Sequence, residues 1–98
     1  MAHITIKNWI YEDIQGKAFC NNKTIVWNKH YDFDKNGNEV PVFTIKVNSK
    51  VRETEKAICF DCVYWWLGSG LRNSVNFTEY TGHKVWIPKS AILKMEEV

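Results

Sequence analysis

The first alternation of apolar and polar positions is Ile4-Thr5-Ile6-Lys7, the pattern of a strand with one buried face. Asn8–Gln15 fits two periods. Asn8 can cap a short helix that carries Trp9, Ile10 and Ile14 and ends at Gly16. At period two, Ile10, Glu12 and Ile14 oppose Trp9, Tyr11 and Asp13, and the β-branched and aromatic content tips the reading towards strand. Ala18-Phe19-Cys20, an Asn21-Asn22 turn and Thr24–Trp27 then form a hairpin.

Asp34-Lys35-Asn36-Gly37-Asn38 is the clearest turn in the chain. Asn-Gly supplies the two positive-φ positions of a type I′ turn, joining Val26–Phe33 to Glu39–Val47. Pro41 lacks an amide donor and belongs at a strand start or on an edge. Thr44, Lys46 and Asn48 face away from Phe43, Ile45 and Val47. Lys56–Leu67 is the longest strand, with Ile58, Phe60, Cys62 and Tyr64 on one face and Ala57, Cys59, Asp61 and Val63 on the other. Gly68-Ser69-Gly70 breaks it. Val75–Tyr80 alternates again, Thr81-Gly82 turns, and Lys84–Ile87 is a short strand stopped by Pro88. Lys89–Met95 reads as one turn of 3₁₀ or α-helix before the chain frays. Six or seven short strands at this spacing predict an all-β domain, a small barrel or sandwich with at most one short helix.

Composition narrows the class. The chain has 98 residues, too few for two independent cores, so residues 1–98 are read as one domain. Five Trp, four Tyr and five Phe supply more burial than a disordered chain carries. No apolar run reaches the ~18–20 residues of a membrane span, and Met1–Lys7 has no apolar core of signal-peptide length. Three cysteines, Cys20, Cys59 and Cys62, cannot all pair within one molecule, so without a signal peptide reduced thiols in a cytosol are expected. Residues 1–34 carry four charges of each sign, 35–66 five basic and four acidic, and 67–98 four and three. There is no basic arm or acidic tail, and Arg52 and Arg72 are the only arginines. A nucleic-acid partner is allowed but not signalled.

Three chemical motifs fall short. Asp32-Phe33-Asp34-Lys35-Asn36-Gly37 matches the first half of a calcium loop, but loop position twelve, which should hold a bidentate carboxylate, is Phe43. Cys59 and Cys62 have zinc-ligand spacing, yet a continuous strand sends positions i and i+3 to opposite faces. Neither Ser69 nor Ser74 lies in a nucleophile-elbow pattern, and no Gly-rich phosphate loop exists. The expectation is a protein that is not an enzyme and uses no metal or cofactor.

The aromatics say more. Tyr64-Trp65-Trp66 places large rings on both faces of one strand, and only one face can be core in so small a domain. The other ring either lies under residues 68–82 or belongs to a recognition surface. The expected binding residues are Tyr64, Trp65, Trp66, Leu71, Arg72, Lys84 and Trp86, with Gly68-Ser69-Gly70 presenting Leu71 and Arg72. The same rings with Lys84 and Arg72 would also stack on single-stranded bases.

Trp65-Trp66 followed by Ile87-Pro88-Lys89-Ser90 resembles the end of Src-homology-3-like barrels, where a Trp-Trp strand precedes an apolar-Pro-x-Ser 3₁₀ segment. That family's proline-ligand groove uses a Tyr just after the Ser, and this chain has Ala91. The resemblance therefore implies the barrel and not polyproline binding. Thr54-Glu55-Lys56-Ala57-Ile58 with Lys84-Val85-Trp86-Ile87-Pro88-Lys89-Ser90 is similar to a pattern in small phage and mobile-element proteins. It implies that Lys56–Phe60 and Lys84–Ile87 are neighbouring strands closed by Pro88. The expected function is then occupancy of a host or phage protein, by analogy with anti-CRISPR inhibitors of bacterial defence. A single-stranded nucleic-acid binder and an oligomeric assembly subunit are the alternatives.

Overall fold

In the computed structural model the opening alternation becomes β1 (Ala2–Lys7), with Ile4 and Ile6 fully buried and Thr5 turned the other way. The structure describes residues 1–67 and 75–97, and side chains for 1–67 and 78–97. After β1 come α1 (Asn8–Phe19), β2 (Lys23–Ile25), β3 (Trp27–Phe33), β4 (Glu39–Glu53), β5 (Ala57–Leu67), β6 (Val75–Pro88), a 3₁₀ turn (Lys89–Ala91) and β7 (Ile92–Glu97). The fold is all-β, antiparallel, with one short helix. Among the described residues β6 pairs with β5 alone and β7 with β1 alone, so the sheet does not close into a barrel.

A fork organises this sheet. β4 and β5 pair from Glu53↔Ile58 up to Val47↔Cys62 and then diverge. The segment Lys23–Phe33 fills the gap, running along β5 as β2 (Ile25↔Tyr64) and along β4 as β3 (Trp27↔Ile45 to Phe33↔Glu39). Val26 sits at the junction: its N–H donates to Val63 O and its carbonyl accepts from Lys46 N, each at 3.1 Å. The core lies on the face of Ile4, Ile6, Ile45, Val47, Phe60 and Ile87, and α1 covers it with Ile10, Tyr11, Ile14 and Ala18. The alternation expected in β4 is observed, with Phe43, Ile45 and Val47 buried and Asn48 exposed.

Residues 8–19 form a helix, not a strand. Ile10 and Ile14 are four apart, a spacing that puts them on one face at either period, so the alternation could not decide. Ala18 extends the same stripe, and buried Gln15 makes sense only in the helix. Lys7, not Asn8, holds the N-cap position, and the helix passes through Gly16 to Phe19. Asn21-Asn22 still turns the chain, with Asn22 at φ 57°, but it joins α1 to β2, so the hairpin expected over Ala18–Trp27 does not form.

The β3–β4 hairpin forms as expected, but its turn is not type I′. Gly37 N donates to Asp34 O, Asp34 N to Asn38 O, and only Gly37 (φ 78°) is left-handed. That is a three-residue loop with one αL glycine. The Asp34 carboxylate accepts the N–H groups of Asn36 and Asn38, which pins the loop. Val75–Pro88 is one long strand rather than two, bent where register shifts leave extra residues opposite β5. Its Lys84–Pro88 end pairs with Ala57–Asp61, the neighbours the sequence implied. The tail adds β7 after its 3₁₀ turn, because Ile92 and Met95 pair with Ile6 and Ile4. Gly68-Ser69-Gly70 lies outside the described residues.

Candidate functional site

The predicted recognition residues are divided by the fold. Tyr64 is buried, Trp65 half-buried and Trp66 38% exposed at the far end of β5. Tyr64 and Trp66 meet edge to face at 5.4 Å between centroids, and Tyr80 of β6 stacks on Tyr64 at 5.9 Å. Lys23, opposite Trp66 on β2, lays its Nζ 4.6 Å from the Tyr64 centroid and 5.4 Å from that of Trp66. The cation in this box belongs to the chain itself. Lys84 and Trp86 lie elsewhere. They alternate with buried Val85 and Ile87 and pair with Asp61 and Cys59, further down β5. His83, the neighbour of Lys84, contacts the Tyr64 ring, so Lys84 points to the opposite face. Leu71 and Arg72 lie outside the described residues.

A second apolar surface is built where α1, the β3–β4 turn and β7 meet. Thr5 pairs with Lys94 and Ile6 with Ile92, which leaves Leu93 as the extra residue of a β-bulge. A bulge re-aims its side chain. Leu93 stands 47% exposed and joins Trp9 (56%), Phe33 (67%) and Pro41 around a groove of about 670 Å³. Phe33 is held there by the hairpin, Trp9 by the first turn of α1. The charged side chains lining it are Lys7, Lys35, Asp32 and Asp34, two of each sign. Such a surface takes an apolar side chain in its floor and does not select strongly for either charge.

On the face of β1, β3 and β4 turned away from the core, Thr44 Oγ1 bonds Thr5 Oγ1 at 3.0 Å and His30 Nε2 at 2.9 Å. Thr5 and Thr44 are direct cross-strand partners, so this is a polar ladder of the sheet. Burial first, then the Asp61 carboxylate, pushes the Cys62 thiol up to about 12, away from the reactive thiolate. His83 is pushed down, chiefly by desolvation and then by Lys23, and among the described residues its buried Nε2 has no hydrogen-bond partner. Among the described residues no group of three His, Cys, Asp or Glu side chains is arranged to hold a metal ion.

No family model, no curated protein and no solved structure matches this chain. Nor is any helix among the described residues long and apolar enough to cross a membrane. Sequence reasoning missed the groove because its walls come from three distant segments. The one local signal was Phe33 beside the hairpin turn, an aromatic at a strand end where a polar residue would serve.

Proposed function

We propose that this protein works by binding another protein through the groove of Trp9, Phe33, Pro41 and Leu93, and that it carries out no catalysis. The observation that carries the reading is the bulged Leu93. A bulge that turns an apolar side chain outward beside two exposed aromatic rings lowers solubility, and a buried complex would recover that cost. The even charge around the groove favours a protein over a polyanion. Five lysines elsewhere pair with carboxylates: Lys17 with Asp13, Lys46 with Glu79, Lys50 and Lys89 with Glu53, and Lys94 with Glu96. Nucleic-acid affinity needs clustered, unengaged cations. The resemblance to small phage proteins makes occupancy of a protein in a bacterial cytoplasm, with inhibition as its result, the form we favour.

The test is capture from a bacterial lysate, with and without nuclease, by the wild-type protein and by Leu93→Asp and Trp9→Ala. A protein retained by the wild type and lost from both variants supports the groove. Retention that needs nucleic acid, or that falls steeply between about 50 and 200 mM salt, would instead favour the single-stranded nucleic-acid reading at the Lys23, Tyr64, Trp66 and Tyr80 box.

A further inference from the structure

Among the described residues β3 has one satisfied edge and one free edge, and the hydrogen bonds at its ends show which residues serve each. Val26 O accepts Lys46 N before the strand, and Asp34 N donates to Asn38 O after it. Antiparallel pairs alternate between hydrogen-bonded and non-bonded residues. Asn28, His30 and Asp32 therefore exchange bonds with β4, while the N–H and C=O groups of Lys29, Tyr31 and Phe33 point away from it. Phe33 N confirms the phase, since it bonds the Asp32 carboxylate at 2.8 Å rather than β4. Among the described residues no strand lies along this side of β3, and every residue of β3 is exposed.

Among the described residues the other edge strands of the sheet are short or guarded, and β2 is only three residues long. β7 carries the Leu93 bulge and the charges of Lys94, Glu96 and Glu97. β6 is interrupted by two register shifts and ends in Pro88. β3 pairs with β4 over Trp27–Phe33 without a shift, and its free edge has no proline. A regular, aromatic-rich, open edge is a template for another strand.

We propose that the occupant is the same edge of a second copy of this chain, paired antiparallel about a two-fold axis through Tyr31. Trp27 lies at the fork, its ring against Tyr11 and Phe43, so the usable edge runs from Lys29 to Phe33. Tyr31 is the centre of that stretch. In this register Tyr31 meets its own symmetry mate and Lys29 meets Phe33, and each pair exchanges both backbone hydrogen bonds. On the opposite face His30 meets Asp32, an imidazole against a carboxylate. The Asp32 carboxylate exchanges its own Phe33 N–H for this partner, and Phe33 N–H passes to the Lys29 carbonyl. No like charges stand directly opposed. An axis through His30 would set imidazole against imidazole and drive the second strand into the fork; an axis through Lys29 would oppose two ammonium groups. The interface is isologous, as two-fold dimers require. Five residues of strand bury less than the ~1,200 Å² of a stable complex, so the dimer is reversible and concentration-dependent.

Sedimentation equilibrium from about 10 µM to about 1 mM brackets dissociation constants expected for so small a contact. We expect a monomer–dimer equilibrium that Tyr31→Pro abolishes, because that change removes an outward N–H and leaves the β4 ladder intact. His30→Asp should weaken the dimer, and His30→Asp combined with Asp32→His should restore it, since the opposed pair is then merely exchanged. Amide exchange on the wild type provides the check should Tyr31→Pro fail to fold. Lys29, Tyr31 and Phe33 should exchange more slowly as concentration rises, while Asn28, His30 and Asp32 stay slow throughout. A monomer across the whole range overturns the proposal. So does a dimer indifferent to Tyr31→Pro, or one whose protection appears at β6 or β7 instead.

Discussion

Gln15 Oε1 accepts the amide N–H of Ile25 at 2.9 Å, so a helix side chain satisfies a strand donor at the foot of the fork. The same side chain donates Nε2 to Thr24 Oγ1 at 2.8 Å and to the Tyr11 hydroxyl at 3.1 Å. All of this is buried. Gln15→Leu removes three hydrogen bonds and leaves the Ile25 N–H without a partner, where a buried unsatisfied group costs about 1–3 kcal/mol. We expect a loss of roughly 2–4 kcal/mol in chemical denaturation. A loss within ~0.5 kcal/mol would mean that water or a neighbour replaces the amide.

That contact also marks the limit of what the residue pattern could show. Ile10 and Ile14 suit a helix or a strand equally, and the deciding fact is that Gln15 has three partners more than eight residues away in sequence or on its own helix. β4 was legible from Phe43 to Asn48, where apolar and polar residues alternate, and Ala57–Asp61 of β5 was legible as a strand although Cys59 is buried on the face opposite Ile58 and Phe60. The turn at Asp34–Asn38 was legible in place but not in type, since Asn-Gly serves both a type I′ turn and a three-residue loop with one αL glycine. Leu93 was not legible at all. Its exposure comes from a register shift between β1 and β7, which no local pattern encodes.

The three aromatics of β5 should separate by burial. Tyr64, 7% exposed and in contact with Trp66, Tyr80 and His83, should cost about 3–5 kcal/mol as Tyr64→Ala. Trp66→Ala removes edge-to-face contacts with Tyr64 and Tyr80 and a surface for Lys23 at a partly exposed site, a loss of about 1–2 kcal/mol. Trp65→Ala, half-buried, should fall between them. Thermal unfolding of the three variants gives the order, and Trp66 as the costliest would contradict this arrangement.

His83 makes stability pH-dependent near neutrality. Its folded pKa lies below the ordinary value of 6.5, with burial and Lys23 opposing protonation and Asp61 favouring it less strongly. The unfolded chain therefore binds the proton first, and stability falls as pH drops through about 6.5 towards the lower folded value. Unfolding midpoints between about pH 7.5 and 5 should decline for the wild type and stay flatter for His83→Asn. An equal decline in both would place the titrating group elsewhere.

Glu53 acts in a separate, more acidic window. Its carboxylate bonds Lys50 at 2.8 Å and Lys89 at 2.6 Å, and hydrogen bonds from these two ammonium groups lower it to about 2. A depressed carboxylate stabilises the fold above its unfolded pKa and loses that effect as pH falls from about 4.5 to about 2. Glu53 is exposed, so salt should weaken the effect. Glu53→Gln should flatten the acid limb at low salt and change little near neutrality in high salt.

Leu93→Asp tests whether the groove is a surface or part of the fold. Leu93 is 47% exposed and stands outside the core cluster, so the substitution should alter stability by no more than about 0.5 kcal/mol. The bulge itself should persist, because Ile92 still pairs with Ile6 and Lys94 with Thr5 on either side of it. What should change is the apolar character of the cavity beside Trp9 and Phe33. A fluorescent apolar probe titrated into the wild type should report a site that Leu93→Asp weakens about tenfold, the effect expected when a buried contact worth ~1.4 kcal/mol is lost. Trp9→Ala should weaken it similarly, and Trp86→Ala, on a different part of the sheet, should leave it unchanged. Probe binding that survives Leu93→Asp but disappears with Trp86→Ala would move the binding surface to the β5–β6 face and refute the groove as the site.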